Sequence, residues 1–182
     1  MSDRKILLHS CCGPCSSACL ERLLPDHDVT VFYYNPCIDD PEEYEKRKEN
    51  QLKLISAMSS MGNVDFAAGP YDPERYLELV KGLEEEPEGG ARCSVCFRMR
   101  LLEAARYAKA HGYDAFTTTL TVSPHKNFRV ISKIGEEVAE EVGIEYLPYD
   151  FKKKDGFLRS IQLSKKFGLY RQDYCGCRFS KR

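Results

Sequence analysis

The sequence has no hydrophobic run that approaches the ~20 apolar residues needed for a membrane-spanning helix. Near its start, the apolar stretch Ile6–Leu8 is too short to be the core of a signal peptide. We therefore expect a cytoplasmic protein without a membrane partner. The 182 residues also contain no evident linker or internal repeat, so we expect one domain spanning residues 1–182.

Nine cysteines are present, and this odd number does not suit a fully disulfide-bonded scaffold. Six of them form three close pairs, at Cys11–Cys12, Cys93–Cys96 and Cys175–Cys177. In a reducing compartment, paired cysteines more often bind metal or take part in catalysis than stabilise a fold. The sequence therefore indicates sulfur-based chemistry.

Predicted strands and helices alternate along the chain. Strands are expected at 5–9, 29–34, 64–67, 115–119 and 144–147, and helices at 14–24, 42–61, 74–83, 95–111, 127–142 and 157–167. On the second helix we expect Leu52, Ile55 and Met58 to share the buried face. The alternation predicts a single-domain Rossmann-like (HUP-like) α/β fold with a parallel sheet in the order 3-2-1-4-5. A helical and irregular C-terminal segment would follow the last strand.

Ligands of such sheets bind beyond the carboxyl ends of the strands, where the strand order reverses. Cys11 and Cys12 follow the first predicted strand, and the loop 123–127, with His125, follows the fourth. We expect both to lie at one mouth. The motif from Cys12 to Cys15 is also similar to the redox motif of thioredoxins, so a thiol-disulfide oxidoreductase is an alternative.

A second cysteine pair, Cys93 and Cys96, opens a predicted helix, where two thiolates can ligate one metal centre. Together with Cys11 and Cys12 it supplies four sulfurs, enough for structural zinc or an iron–sulfur cluster. Adjacent cysteines suit a single tetrahedral zinc poorly, so the pattern favours the cluster. A zinc-stabilised RNA-binding module without catalysis is the other alternative.

The third pair lies in a basic segment. Residues 152–182 contain ten Lys/Arg and two Asp/Glu, a local charge of +8. This indicates either a solvated helix face or a phosphate-binding surface closing over the site. A disulfide between Cys175 and Cys177 would close a small ring and be easily reduced, which suits redox cycling. Ligation of a second metal by this pair is the alternative. Cys19 is expected to be a core thiol, and Cys37 could line the mouth.

Six motifs, in order and covering nearly the whole chain, resemble the QueH-type epoxyqueuosine reductases. They are Cys11-Cys12-Gly13-Pro14-Cys15, Tyr34-Asn35-Pro36, Arg92-Cys93-x-x-Cys96-Phe97-Arg98-x-Arg100-Leu101, Thr118-Thr119-Leu120-x-x-Ser123-Pro124-His125-Lys126-Asn127, Asp150-Phe151-Lys152-Lys153 and Tyr170-Arg171-Gln172-x-Tyr174-Cys175-Gly176-Cys177. One departure is Cys37, at a position where the family usually carries asparagine.

The resemblance implies an oxidoreductase of tRNA processing that performs the last step of queuosine biosynthesis. It would remove the epoxide oxygen of epoxyqueuosine at the anticodon wobble position by two-electron reduction. The resemblance also implies a [4Fe-4S] cluster held by Cys11, Cys12, Cys93 and Cys96, and a redox-active pair at Cys175 and Cys177. The alternative for that pair is ligation of an additional iron.

For this reaction we expect His125 or Asp173 to protonate the departing oxygen, and an external electron donor to supply or renew the electrons. Tyr170 or Tyr174 would stack on exposed bases of the tRNA. ATP-dependent tRNA-thiolating enzymes share the expected sheet topology, but they carry a Ser-Gly-Gly-x-Asp-Ser phosphate loop after the first strand. The sequence at that place, from Ser10 to Cys15, lacks this loop, which argues against a nucleotide site.

Overall fold

The structure of the protein is a computed structural model that describes residues 3–181. Strands and helices alternate as the sequence predicts. The strands are β1 (Arg4–Ser10), β2 (His27–Tyr33), β3 (Val64–Ala68), β4 (Ala115–Thr118) and β5 (Glu145–Tyr146). The helices are α1 (Gly13–Leu23), α2 (Pro41–Met58), α3 (Pro73–Leu79), α4 (Ala91–Ala110), α5 (Phe128–Val142) and α6 (Gly156–Phe167).

All neighbouring strands are parallel, and the sheet order β3-β2-β1-β4-β5 confirms the predicted one. The central strand β1 pairs with β2 on one side and β4 on the other, with His9 opposite both Phe32 and Thr118. Strand order therefore reverses at β1. The carboxyl ends of β1 and β4 form the crevice where ligands of such sheets bind.

The sheet is covered on both faces, because successive side chains of a strand point to opposite sides. Leu7 packs in one buried cluster with apolar residues of α4 and α5, whereas Leu8 packs in another with residues of α1 and α2. This double burial explains why the strands read as nearly continuous apolar runs. No helix among residues 3–181 combines the length and the apolar character needed to cross a membrane.

The buried face of α2 differs from the predicted one. Leu52 is exposed, whereas Leu54 and Met58 are buried together with two polar side chains, Arg47 and Gln51. Met58 and the half-buried Ile55 confirm part of the predicted face, and the prediction was wrong for Leu52. A search for apolar periodicity also does not count Arg47 and Gln51. Both are buried because they have hydrogen-bond partners elsewhere in the chain.

Two boundaries also differ in ways that affect the site. Helix α4 begins at Ala91, four residues before the predicted start, so Cys93 and Cys96 both lie in its first two turns. The last predicted residue of the fourth strand, Thr119, instead begins a 3₁₀ turn that ends at Val122. This turn leads the chain away from the sheet and into the loop that contains His125.

Candidate active site

A cavity of about 240 Å³ lies at the carboxyl ends of β1 and β4. A smaller cavity of about 70 Å³ adjoins it. Six residues line both of them, namely Glu88, Arg100, Lys126, His125, Cys175 and Ser180. The two cavities therefore form one site, assembled from the β1–α1 turn, the start of α4, the loop after β4 and the C-terminal tail.

Three cysteines of the β1–α1 turn bring their sulfur atoms together. The Sγ atoms of Cys11, Cys12 and Cys15 all lie within 4.8 Å of one another, and those of Cys11 and Cys12 are 3.8 Å apart. Among residues 3–181, this is the only group of three or more cysteine, histidine or carboxylate ligand atoms with such close spacing. Three thiols in this arrangement could hold a metal.

Within this group the three thiols differ in acidity. The contact with the Cys12 thiol, followed by that with Cys15, lowers the pKa of Cys11 well below its usual value, although burial opposes the shift. The same contact with Cys11 raises the pKa of Cys12 to about 12. Cys11 is therefore the thiol of the group that ionises first, as a metal ligand or nucleophile must.

The second predicted pair lies on the smaller cavity. Cys93 and Cys96 both line it, and the Cys93 sulfur accepts a hydrogen bond from the backbone N–H of Gly89 (3.2 Å). Cys96 contacts the buried thiol of Cys37, which lowers the pKa of Cys96 despite its burial. Of the four predicted cluster ligands, three line the joined cavities and the fourth, Cys12, lies beside Cys11. The sulfur atoms of Cys93 and Cys96, however, are not part of the close group in the β1–α1 turn.

The C-terminal tail brings the third pair to the same place. Cys175 lines both cavities, and Cys177 lines the smaller one, where its sulfur lies 2.9 Å from the hydroxyl of Tyr76. Both are free thiols in this structure. Gly176 between them has φ +114°, a conformation that side chains rarely adopt. A Cβ atom there would also lie 2.7 Å from Ile38.

The tail is held through its backbone by Arg47 of α2. This guanidinium is buried and donates to the carbonyl oxygens of Cys175 (2.8 Å) and Tyr174 (3.1 Å). Its third interaction is an ion pair with Glu43 at 2.7 Å. All three nitrogen atoms of this buried guanidinium donate hydrogen bonds, so it fixes the position of its partners well. We call this set of contacts the Arg47 clamp.

Two cations lie between the sulfur groups. Arg100 is 1% exposed, and its Nη1 donates weakly to Asn35 at 3.4 Å, while its Nε and Nη2 atoms have no hydrogen-bond partner. Burial lowers the pKa of Arg100, but the neighbouring Cys37 and Cys96 thiols outweigh it and raise the pKa. Lys126 lines both cavities beside Cys175 and Cys11. The site therefore carries positive charge suited to thiolates or another anionic group.

One histidine beneath the site is kept neutral. Burial, with Arg100 as the next cause, lowers the pKa of His9 to about 4. Its Nε2 donates to the carbonyl of Tyr34 (2.9 Å), so Nδ1 is left to accept from the hydroxyl of Thr118 (3.0 Å). His9 therefore ties β1, β2 and β4 together without adding charge below the cavity.

The predicted proton donors reach the larger cavity from two sides. His125 and Asp173 both line it, and both are exposed. No site role was predicted for Arg100, Lys126, Tyr76 or Arg47, although Arg100 and Lys126 lie in two of the six sequence motifs. Lys126 could have been suggested by its place beside His125 in the mouth loop, and Arg100 by its place one helical turn after Cys96. Nothing local in the sequence marks Tyr76 or Arg47.

The donor set fits a metal centre of negative overall charge. Thiolates of Cys11, Cys12, Cys93 and Cys96 would bring negative charge to the joined cavities, and Arg100 already lies there with two nitrogen atoms, Nε and Nη2, that have no hydrogen-bond partner. Buried donors without partners are uncommon in folded proteins, and a bound ion or water often supplies the acceptor. Thiolate sulfur also accepts such hydrogen bonds in iron–sulfur centres.

Comparison with known proteins adds independent evidence. The family model described as "Epoxyqueuosine reductase QueH" matches residues 6–182. A protein of that name from Staphylococcus epidermidis is 41% identical over 180 residues, which cover 97% of this chain and 76% of the relative. Relatives of the same name from Streptococcus pyogenes serotype M1 and Thermotoga maritima are 44% and 36% identical; the alignments cover 94% and 96% of this chain and 68% and 89% of those proteins.

Proposed function

The chain belongs to the QueH family of epoxyqueuosine reductases, and we propose on this premise that it reduces epoxyqueuosine in tRNA to queuosine. The observation that carries the proposal is the site itself. Cysteine pairs from three distant segments surround two joined cavities at the sheet edge where such folds bind ligands. Action on the anticodon wobble nucleotide of tRNA would place the enzyme in the cytoplasm.

The proposed reaction needs two electrons and two protons. Both C–O bonds of the epoxide break, a second bond forms between its two carbons, and the oxygen leaves as water. A dithiol that becomes a disulfide supplies two electrons and two protons, which matches this requirement. Cys175 and Cys177 are a suitable dithiol, because both line the smaller cavity and are separated by one residue. An external electron donor would then restore the thiols.

We assign a [4Fe-4S] cluster to Cys11, Cys12, Cys93 and Cys96. Zinc has no redox chemistry, whereas clusters held by thiolates take part in electron transfer, which the proposed reduction needs. When bound, the cluster would supply electron transfer and a Lewis-acidic iron beside the substrate. Arg100 would direct its unmatched N–H groups toward the ligating sulfurs. An additional iron on Cys175 and Cys177 is the alternative role for the tail pair.

Other residues of the chain position the thiols and protons. Tyr76 holds the Cys177 sulfur at 2.9 Å, and the Arg47 clamp fixes the backbone of Cys175. His125 and Asp173, at the rim of the larger cavity, can exchange protons with solvent and pass them to the departing oxygen. Their positions support the proton-donor roles expected from the sequence.

The basic C-terminal segment is proposed to bind the phosphates of the tRNA backbone. Lys165 and Lys166 are exposed at the end of α6, and Arg171 and Tyr174 line the larger cavity. Tyr174 is therefore the better candidate for stacking on a base. Tyr170 is engaged more closely within the protein, because the Lys46 ammonium lies 3.6 Å from its ring centre and its hydroxyl donates to Glu43. The cations beside the Tyr174 ring, Arg47 and Lys181, lie 5.2 and 5.6 Å from its centre.

The test uses protein purified without oxygen and tRNA that contains epoxyqueuosine, with dithionite as the reductant. We expect queuosine in the digested tRNA, and broad absorption near ~400 nm, as cysteine-ligated clusters give. Cys175→Ser and Cys177→Ser should each abolish turnover, whereas Cys19→Ser, which alters a buried thiol of α1, should not. Full turnover by either tail variant would contradict the dithiol role. Colourless protein with stoichiometric zinc and no product would favour the RNA-binding module instead.

A further inference from the structure

Hydrogen bonds hold the backbone of Lys126 through both its N–H and its carbonyl group. Its backbone N–H donates to the carbonyl of Ser123 (3.3 Å), and its own carbonyl accepts from the ammonium of Lys152 (2.9 Å). The next residue, Asn127, caps α5 by accepting from the N–H of Arg129 at 2.9 Å. These contacts fix the backbone of Lys126, and therefore the point from which its side chain leaves the loop.

The Lys126 side chain lies at the site. Lys126 lines both cavities, and Cys175, Cys11 and Cys15 are the groups whose charges act on its ammonium most favourably. Within residues 3–181 its ammonium makes no hydrogen bond and no ion pair. The Arg100 guanidinium is the neighbouring cation, and it is enclosed beneath the cavity beside Asn35. Arg171, the other lining cation, is exposed and lines only the larger cavity. Lys126 is thus a partly buried cation with a free donor in the space where substrate would lie.

Breaking the C–O bonds of an epoxide moves negative charge onto its oxygen. A preorganised donor in a partly desolvated site stabilises such charge most, because no solvent has to reorganise around it during the reaction. The nearby His125 is exposed, so water screens it more strongly than it screens Lys126. A lysine that remains protonated can stabilise the developing negative charge without any change in its own charge.

We propose that Lys126 is a catalytic residue whose ammonium donates a hydrogen bond to the epoxide oxygen as its carbon–oxygen bonds break. The proposal rests on the proposed function. The two electrons and two protons still come from the dithiol, which becomes a disulfide, and the oxygen leaves as water. Lys126 is neither oxidised nor consumed in this step.

The first arm of the test measures turnover of metal-loaded protein with saturating tRNA. Lys126→Met should lower kcat about 10²-fold, the loss typical of one oxyanion donor, and Lys126→Arg should recover part of it. Lys133→Met is the matched control, because Lys133 is exposed on α5, the helix that follows the same loop. Wild-type kcat in Lys126→Met would overturn the proposal.

The second arm measures binding without a reductant, and so does not depend on turnover. Wild-type protein should bind tRNA with epoxyqueuosine about three- to tenfold more tightly than tRNA with queuosine, which lacks the oxygen. Lys126→Met should lose this preference while keeping its iron content. Equal loss of affinity for both tRNAs, or loss of iron, would overturn the proposal and assign Lys126 to tRNA binding or to metal retention.

Failure of the proposed function has a different signature. In that case wild-type protein would form no queuosine and would bind the two tRNAs equally. If the reaction is correct and Lys126 is not involved, wild-type and Lys126→Met proteins would both form queuosine at the same rate. The two arms therefore separate an incorrect reaction from an incorrect residue.

Discussion

Cys15 and Cys96 can be compared directly as candidate metal ligands. Cys15 lies in the close sulfur group with Cys11 and Cys12, whereas Cys96 lies on the smaller cavity beside Cys37. Only Cys96 belongs to the four-cysteine set that the family resemblance implies. A metal ligand and a merely adjacent thiol respond differently to replacement by serine, because a hydroxyl is a poor ligand for iron.

We expect Cys96→Ser to lose most of the bound iron and Cys15→Ser to retain most of it. Iron content and visible absorption of protein purified without oxygen measure this directly. Cys19→Ser is the control for changing a buried thiol in the same helix as Cys15, and should keep the metal. The reverse result for Cys15 and Cys96 would assign the metal to the close group in the β1–α1 turn.

At the scale of structural elements, the C-terminal tail depends on one glycine. Gly176 has a positive φ, and a Cβ atom there would meet both Ile38 at 2.7 Å and the Arg47 guanidinium at 3.0 Å. Gly176→Ala therefore strains the backbone and pushes the tail away from the Arg47 clamp. The thiols of Cys175 and Cys177 would move with it.

We expect Gly176→Ala to lower turnover about 10²-fold, because a displacement near 1 Å at a reacting group costs that much. Gly112→Ala is the control, since Gly112 also has a positive φ (+73°) but has nothing within 4 Å of an added Cβ. It should cost about 1–2 kcal/mol of stability from backbone strain and leave turnover unchanged. Thermal unfolding and turnover of both variants give the comparison, and wild-type turnover by Gly176→Ala would contradict it.

Elements were predicted well where a local pattern determines them. Each of the five strands and six helices was expected from apolar runs and turn residues, and the sheet order followed from their alternation. The burial of Arg47 and Gln51 on α2 was not expected, because their partners lie in the tail and in β1. A sequence window around α2 contains neither partner.

Site residues that are neighbours in the sequence were likewise easier to predict than those that meet only in the fold. The cysteine pairs are close in sequence, so their spacing alone indicated shared chemistry. Tyr76 contacts Cys177 across 101 positions of the chain, and Arg100 meets Asn35 across 65. Such contacts depend on how α3, α4 and the tail pack together, and no local pattern encodes them.

For the molecule as a whole, charge is unevenly divided between the tail and the rest. Residues 152–182 carry a local charge of +8 in a chain whose net charge is −1. Binding of phosphates by cationic side chains releases counterions, so affinity for tRNA should fall steeply as salt rises. This dependence can be measured as the slope of the logarithm of the affinity against the logarithm of the salt concentration.

We expect the double variant Lys165→Glu, Lys166→Glu to bind tRNA more weakly and to reduce that slope by about one unit for each phosphate that the protein no longer neutralises. Lys133→Glu, with a lysine that is 78% exposed on α5, controls for a general change in charge. Affinity and slope equal to those of wild-type protein in the double variant would exclude this surface from tRNA binding.

The Arg47 clamp bears on how the tail could work over many cycles. Arg47 binds the main-chain oxygens of Tyr174 and Cys175, and these are chemically the same whether the neighbouring sulfurs are thiols or a disulfide. The hydrogen bonds that anchor the tail therefore do not use the sulfurs, and oxidation of the thiols removes none of the atoms that Arg47 binds. Serine at these positions keeps the same main-chain oxygens, so Arg47 can still bind the tail in Cys175→Ser and Cys177→Ser. The loss of turnover expected of these variants would therefore result from the missing sulfur and not from detachment of the tail.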